Sequence, residues 1–142
     1  MGITMQCFVL CRSVTTEHSS RLQTIDRVFD LASTTQLPAK HGPCALHVRF
    51  FIPDQPTCTV SIVLESPVGV KSQILQPIST NPNPNGMVQL TRTLKELVLP
   101  DEGLYTFRLL VDEKVCSEYY LTVIKRRPRR AAPEPPLEPP AE

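Results

Sequence analysis

The stretch CALHVRFFI, Cys44 to Ile52, alternates its apolar positions with a period of two, which commits it to a strand rather than a helix. Cys44, Leu46, Val48, Phe50 and Ile52 fall on one side, and Ala45, His47, Arg49 and Phe51 on the other. The first side reads as core and the second as mostly wet. TCTVSIVLE repeats the pattern, with Cys58, Val60, Ile62 and Leu64 inward and Thr57, Thr59, Ser61 and Glu65 outward. Between the runs, the prolines of PDQP (Pro53 to Pro56) fix backbone angles and withhold donors, so one strand ends there and the next is delayed. Together the two runs predict an antiparallel hairpin.

Further strands are predicted at Met5–Val14, Arg21–Leu31, Gly69–Leu75, Gly86–Arg92, Gly103–Val111 and Lys114–Ile124. That gives about eight short strands separated by turn-forming clusters. In Arg21–Leu31 the apolar residues do not alternate cleanly, so a bulge or short helix fits as well. NPNPNG, Asn81 to Gly86, has the positive-φ residues of a hairpin closure. The one helical candidate is Thr93–Val98, where Thr93 and Glu96 have capping-box spacing. With no amphipathic helix of ordinary length between these segments, the expected fold class is all-β, a sandwich or barrel.

The 142 residues suit one domain, expected over residues 1–124, followed by a tail over 125–142. Charges nearly cancel, at net +1, and the basic excess sits in the tail, so the body is not expected to bind nucleic acid nonspecifically. Five cysteines, Cys7, Cys11, Cys44, Cys58 and Cys116, form no C-x-x-C pair and lie inside apolar runs. They read as buried, reduced packing residues, which points to a reducing, cytoplasmic setting. MGITMQCFVLCRSV lacks the basic start and long apolar run of a signal peptide, and it reads as the first strand. Gln6 stands where a myristoylation signal wants Ser or Thr, and no stretch reaches membrane-spanning length.

PDEGLYTF, Pro100 to Phe107, sets Asp101, Gly103 and Tyr105 in D-x-G-x-Y order. It resembles the tyrosine corner of immunoglobulin-like domains, which implies a structural Tyr105 whose ring enters the core and whose hydroxyl bonds a nearby loop backbone. Phe107 stands in the place of the second immunoglobulin cysteine, and the chain has no tryptophan, so the resemblance implies a disulfide-free relative. The order of MQCFVLCRSV, RLQTIDRVFDL, CALHVRFFI, TCTVSIVLE and LPDEGLYTFRLLVDEKV resembles an uncharacterised bacterial and phage family of small all-β proteins, a domain of unknown function. That likeness spans most of Met5 to Ile124. It implies an immunoglobulin-like antiparallel β-sandwich and no catalytic residues.

Chemistry-bearing residues do not assemble in the sequence. In HGPCALH, His41, Cys44 and His47 are spaced by threes, but in a strand Cys44 and His47 point to opposite faces, which separates them as zinc ligands. Asp101, Glu102, Asp112 and Glu113 fall at opposite ends of one predicted strand and do not make a calcium set. Glycine-rich phosphate loops, G-x-S-x-G and H-E-x-x-H are absent. No catalytic residue, metal ligand or cofactor is expected, and the chain reads as a non-enzymatic binding or structural module.

Two places remain for a partner. Lys125, Arg126, Arg127, Arg129 and Arg130 form a basic block able to grip nucleic acid, anionic lipid or an acidic protein. Six prolines from Pro128 to Pro140 make the chain around and beyond it extended and disordered, with an R-x-x-P-x-x-P string from Arg130 to Pro136. On the body, Phe51 and Val63 lie outward on adjacent predicted strands and would form an apolar patch for self-association or docking. Cover by another part of the chain is the equal alternative at Phe51.

Overall fold

A computed structural model describes residues 2–20 and 22–127. Its strands are β1 (Thr4–Thr16), β2 (Gln23–Val28), β3 (Leu31–Thr34), β4 (Ala39–His41), β5 (Cys44–Phe51) and β6 (Cys58–Glu65). They continue with β7 (Lys71–Thr80), β8 (Met87–Leu94), β9 (Leu97–Leu99), β10 (Gly103–Val111) and β11 (Lys114–Lys125). The chain is all-β, and no helix occurs among the described residues. At Thr93–Val98 the capping-box spacing is not used: Thr93 and Leu94 finish β8 and β9 begins at Leu97, because Leu97 and Leu99 alternate into the core.

Two larger sheets carry the fold. The β1 sheet runs β2-β1-β5-β8 and the β10 sheet runs β3-β11-β10-β6-β7, while β4 and β9 pair separately. Neighbours are antiparallel except β3, which lies parallel to β11. Phe8, Leu10, Leu46, Val48 and Phe50 from the β1 sheet share one buried cluster with Val60, Ile62, Phe107, Leu109 and Leu121 from the β10 sheet. Phe8 meets Tyr119 edge-to-face at 6.4 Å, joining the two layers. The alternation in CALHVRFFI and TCTVSIVLE therefore does name the core-facing side of each strand.

Two expected hairpins are instead crossings between the sheets. β5 pairs with β1 and β8, whereas β6 pairs with β10 and β7, so PDQP carries the chain from one layer to the other. NPNPNG makes the return crossing from β7 to β8. The Asn83 side chain organises that return, its Oδ1 accepting from the amides of Asn85 and Met87 at 2.9 Å each. The crossings also touch. Ile52 N–H donates to the Gly86 carbonyl at 2.7 Å, and a Cβ on Gly86 would sit 2.8 Å from Pro53 Cα. With φ at +81°, Gly86 meets both a conformational and a steric demand there.

The irregular second segment resolves into two strands, β2 in one sheet and β3 in the other, with Phe29 and Asp30 between them. β7 extends to Thr80 and tolerates Pro77 because it lies at a sheet edge, where one side of the ladder needs no donor. The Tyr105 ring is buried as expected. Its hydroxyl donates to the Asp101 carbonyl at 3.0 Å and accepts from the Asp101 amide at 2.8 Å.

Candidate binding surfaces

Phe51 and Val63 do not meet. Phe51 stands on β5 in the β1 sheet and Val63 on β6 in the β10 sheet, because PDQP crosses between layers instead of turning back within one. Phe51 is half-buried, with its ring against the Gly86 loop: an added Gly86 Cβ would lie 3.0 Å from Phe51 Cε2. Cover by the same chain is what Phe51 has. Val63 is half-buried beside Arg108, its register partner on β10.

Of the basic block, Lys125 is the last residue of β11, and its amide donates to Glu102 Oε2 at 2.9 Å. The Arg126 amide donates to the Thr34 carbonyl at 2.7 Å, which continues the parallel ladder one residue past the strand. The Lys125, Arg126 and Arg127 side chains are exposed at that sheet end. Arg129, Arg130 and the proline string lie outside the described residues.

The outer side of the β1 sheet is drier than its sequence suggests. Ala45 and His47, read as wet-face residues, are buried, His47 to 1% exposure, and Cys11 on β1 is fully buried on the same side. His47 is flanked in register by Val9 and Thr91, and its Nδ1 is hydrogen-bonded to the Thr91 hydroxyl at 3.0 Å. Further along the face, Leu22, Gln23 and Ile25, at the start of the edge strand β2, line one open cleft with Cys7, His47 and Arg49. Burial, and secondarily the positive charge of Arg49, lowers the His47 pKa below its usual value. Arg49 Nε is buried there without a hydrogen-bond partner.

The outer side of the β10 sheet is the opposite. Leu104, Thr122 and Leu31 form one cross-strand row over β10, β11 and β3, with Tyr120 on one side of it and Ile124 on the other. Leu104 and Tyr120 are each 50% exposed, Leu31 48% and Ile124 42%. One edge of the group is charged. Arg108 is ion-paired with Glu65 and Glu118, and the Tyr120 hydroxyl donates to Glu118 Oε2 at 2.5 Å. At the other end the chain leaves through Lys125, Arg126 and Arg127.

These residues were not identified from the sequence as one surface. The signal available was the outward register of YYLTVI, where Tyr120 and Ile124 put apolar groups on the side that should be polar. Leu31 could not be added without knowing that β3 returns parallel to β11.

Cys44 and His47 are on opposite faces of β5 as their spacing predicts, Cys44 in the core, whereas His41 in β4, stacked on Phe29 at 5.4 Å, lines one cleft with Cys44. No group of three His, Cys, Asp or Glu side chains converges among the described residues. All five cysteines are free thiols; Cys11, Cys44 and Cys58 are buried, and Cys7 and Cys116 are half-buried. Burial raises the pKa of Cys7, Cys11, Cys44 and Cys58, so these thiols are held protonated. Asp101 and Asp112 sit at opposite ends of β10, and Asp112 is committed to Gln55 Nε2 at 2.8 Å and the Thr59 amide at 3.0 Å.

The sequence matches a Family of unknown function (DUF6941) over residues 6–124. The chain belongs to that family. Among curated proteins no relative matches it by sequence. Among solved structures it is similar to the Pseudomonas fluorescens alkylpurine DNA glycosylase AlkC bound to DNA containing an abasic site analog, with a TM-score of 0.51 and 7% identity. That likeness covers 86% of this chain and 30% of the glycosylase chain, and at such low identity it is a likeness of fold. Among the described residues no helix is long and apolar enough to cross a membrane.

Proposed function

We propose that this DUF6941 protein is a non-enzymatic binding module that docks a protein partner, a second copy of itself in the simplest case, on the outer face of the β10 sheet. The observation that carries this reading is the contiguous exposure of Leu31, Leu104, Tyr120 and Ile124 around Thr122. Large apolar side chains gathered on one sheet face gain stability when a partner removes them from water. The protonated thiols and the placement of Cys44 and His47 on opposite faces of β5 support a role without catalysis. Free thiols also support a reducing, cytoplasmic setting. The Tyr105–Asp101 hydrogen bonds, with two sheets facing one another, support an immunoglobulin-like kinship, and a bacterial or phage setting belongs to the same proposal.

Light scattering on the purified chain, with Leu104→Lys and Ile124→Lys as the disrupted form, tests the docking face. A wild-type dimer that the two substitutions turn into a folded monomer supports it. A monomeric wild type whose captured proteins from lysate are the same with and without the substitutions removes it.

A second reading has its own observation: Arg126 and Arg127 are exposed where β11 ends, so the basic block begins on the body and not on a detached segment. In this reading the protein is an accessory that contacts nucleic acid, lipid or an acidic partner through residues 125–130. The DNA in the glycosylase structure belongs to that protein alone, and nothing in this reading rests on it. Removing residues 127–142, which takes away three of the five cations, should then strongly weaken binding to DNA, RNA or anionic vesicles at low salt. Unchanged binding would sink it.

A further inference from the structure

The β1–β2 hairpin brings two arginines to a cleft that no carboxylate lines. Cys11 pairs with Val28 and Ser13 with Asp26, so the register sets Arg12 opposite Arg27. Arg27 lies within β2 but makes no ladder pair, with φ at +54° in the left-handed region that side chains seldom adopt, and both arginines are exposed. Like charges side by side on a hairpin destabilise it, modestly where water screens them as here, and backbone strain on a non-glycine residue adds to that cost. No ion pair relieves either residue, since among the described residues those pairs belong to Arg108. Asp26, the neighbour of Arg27 in the chain, pairs with Ser13.

Both arginines line a cleft of about 330 Å³, and none of its lining residues carries a carboxylate. Phe29 and His41, stacked on one another with an interplanar angle of 22°, line it with Pro43 and Cys44. Behind the cleft, Gly42 packs against the backbone before β9, where an added Cβ would lie 2.5 Å from the Lys95 carbonyl oxygen. Phe29 is held in place by the Tyr119 hydroxyl, which donates to its carbonyl at 2.5 Å.

We propose that this cleft binds a phosphomonoester: a phosphate dianion carried on a small ring-containing group. Two guanidinium groups offer planar N–H forks that match phosphate oxygens. A dianion compensates both cations, where a carboxylate would leave one uncompensated. The aromatic and apolar lining of Phe29, His41 and Pro43 then suits the ring, and the cleft volume limits the ligand to a small molecule. The site stands apart from the outer face of the β10 sheet, so the two proposals fail separately.

The full chain, titrated calorimetrically and followed by thermal unfolding, is tested with phenyl phosphate, inorganic phosphate, and sodium chloride at matched ionic strength. Phenyl phosphate is expected to bind best and to raise the melting temperature, with inorganic phosphate weaker and chloride without effect. Arg12→Gln and Arg27→Gln should each weaken phenyl phosphate binding by about tenfold or more. In phosphate-free buffer each should melt no lower than wild type, because the repulsion is gone; this separates loss of the site from loss of the fold. Arg12→Lys keeps the charge but not the fork, and should fall between wild type and Arg12→Gln. Equal stabilisation by chloride, phenyl phosphate binding no better than inorganic phosphate, or unchanged binding by either glutamine variant would overturn the proposal. So would an equal loss in Arg126→Gln, a cation outside the cleft.

Discussion

The two outer faces of this protein start from similar sequence patterns and end in different environments. On the β1 sheet, His47 is buried between half-buried Val9 and exposed Thr91, and the start of β2 shares the cleft beside it. On the β10 sheet, Leu104 and Tyr120 keep half their surface in water. Alternation decides which side of a strand faces the core, but it does not decide whether the other side is covered. That second question belongs to tertiary structure: where a hairpin bends, and where a strand such as β3 returns.

The largest test of this contrast is a carboxylate placed on each face. His47→Asp should cost about 2–3 kcal/mol, because a carboxylate at this buried position loses its hydration and the neighbouring Arg49 charge offsets only part of that. Val63→Asp, at a half-buried outward position of the β10 sheet beside Arg108, should cost about 1 kcal/mol. Urea unfolding of both variants gives the comparison. Equal losses would mean that the faces are alike and the burial of His47 is not what the fold depends on.

Much of this fold was legible in the sequence, and the reason is local. Cys44 to Ile52 and Gly103 to Val111 alternate cleanly because each is buried on at least one side along its whole length. The D-x-G-x-Y order also announced the Tyr105 hydroxyl bonds, since the partner is only four residues away. PDQP and NPNPNG gave no such help. Proline and asparagine end strands equally well in a hairpin and in a crossing, and the choice is made by long-range pairing of β5 with β8 and β6 with β10. The Phe51–Val63 patch failed for that reason alone. Leu31, Leu104, Tyr120 and Ile124 were hidden because they come from three strands, one of them running parallel to its neighbour.

A smaller difference separates two threonines. Thr91→Val removes the hydroxyl bonded to His47 Nδ1 and leaves a buried ring nitrogen without that partner, which should cost about 1–2 kcal/mol. Thr122→Val, in the centre of the exposed row on the β10 sheet, should change stability by less than about 0.5 kcal/mol and strengthen any association through that face. A large loss at Thr122 would show that this face is already engaged within the monomer.

The smallest effect is a pH dependence that only the drier face should show. Burial first, and the Arg49 charge second, lower the His47 pKa in the folded chain, whereas in the unfolded chain it titrates near its ordinary value of about 6.5. Below that value the unfolded chain takes up a proton that the folded chain resists, so the contribution is complete above pH 6.5 and declines as pH falls toward the lowered folded value. The slope cannot exceed about 1.4 kcal/mol per pH unit for one proton. Urea midpoints at pH 7.5 and 5.5 should therefore fall further for wild type than for His47→Gln, which has no proton to gain there. Parallel falls in the two proteins would mean that His47 titrates alike in both states, and the burial of His47 would lose its electrostatic signature.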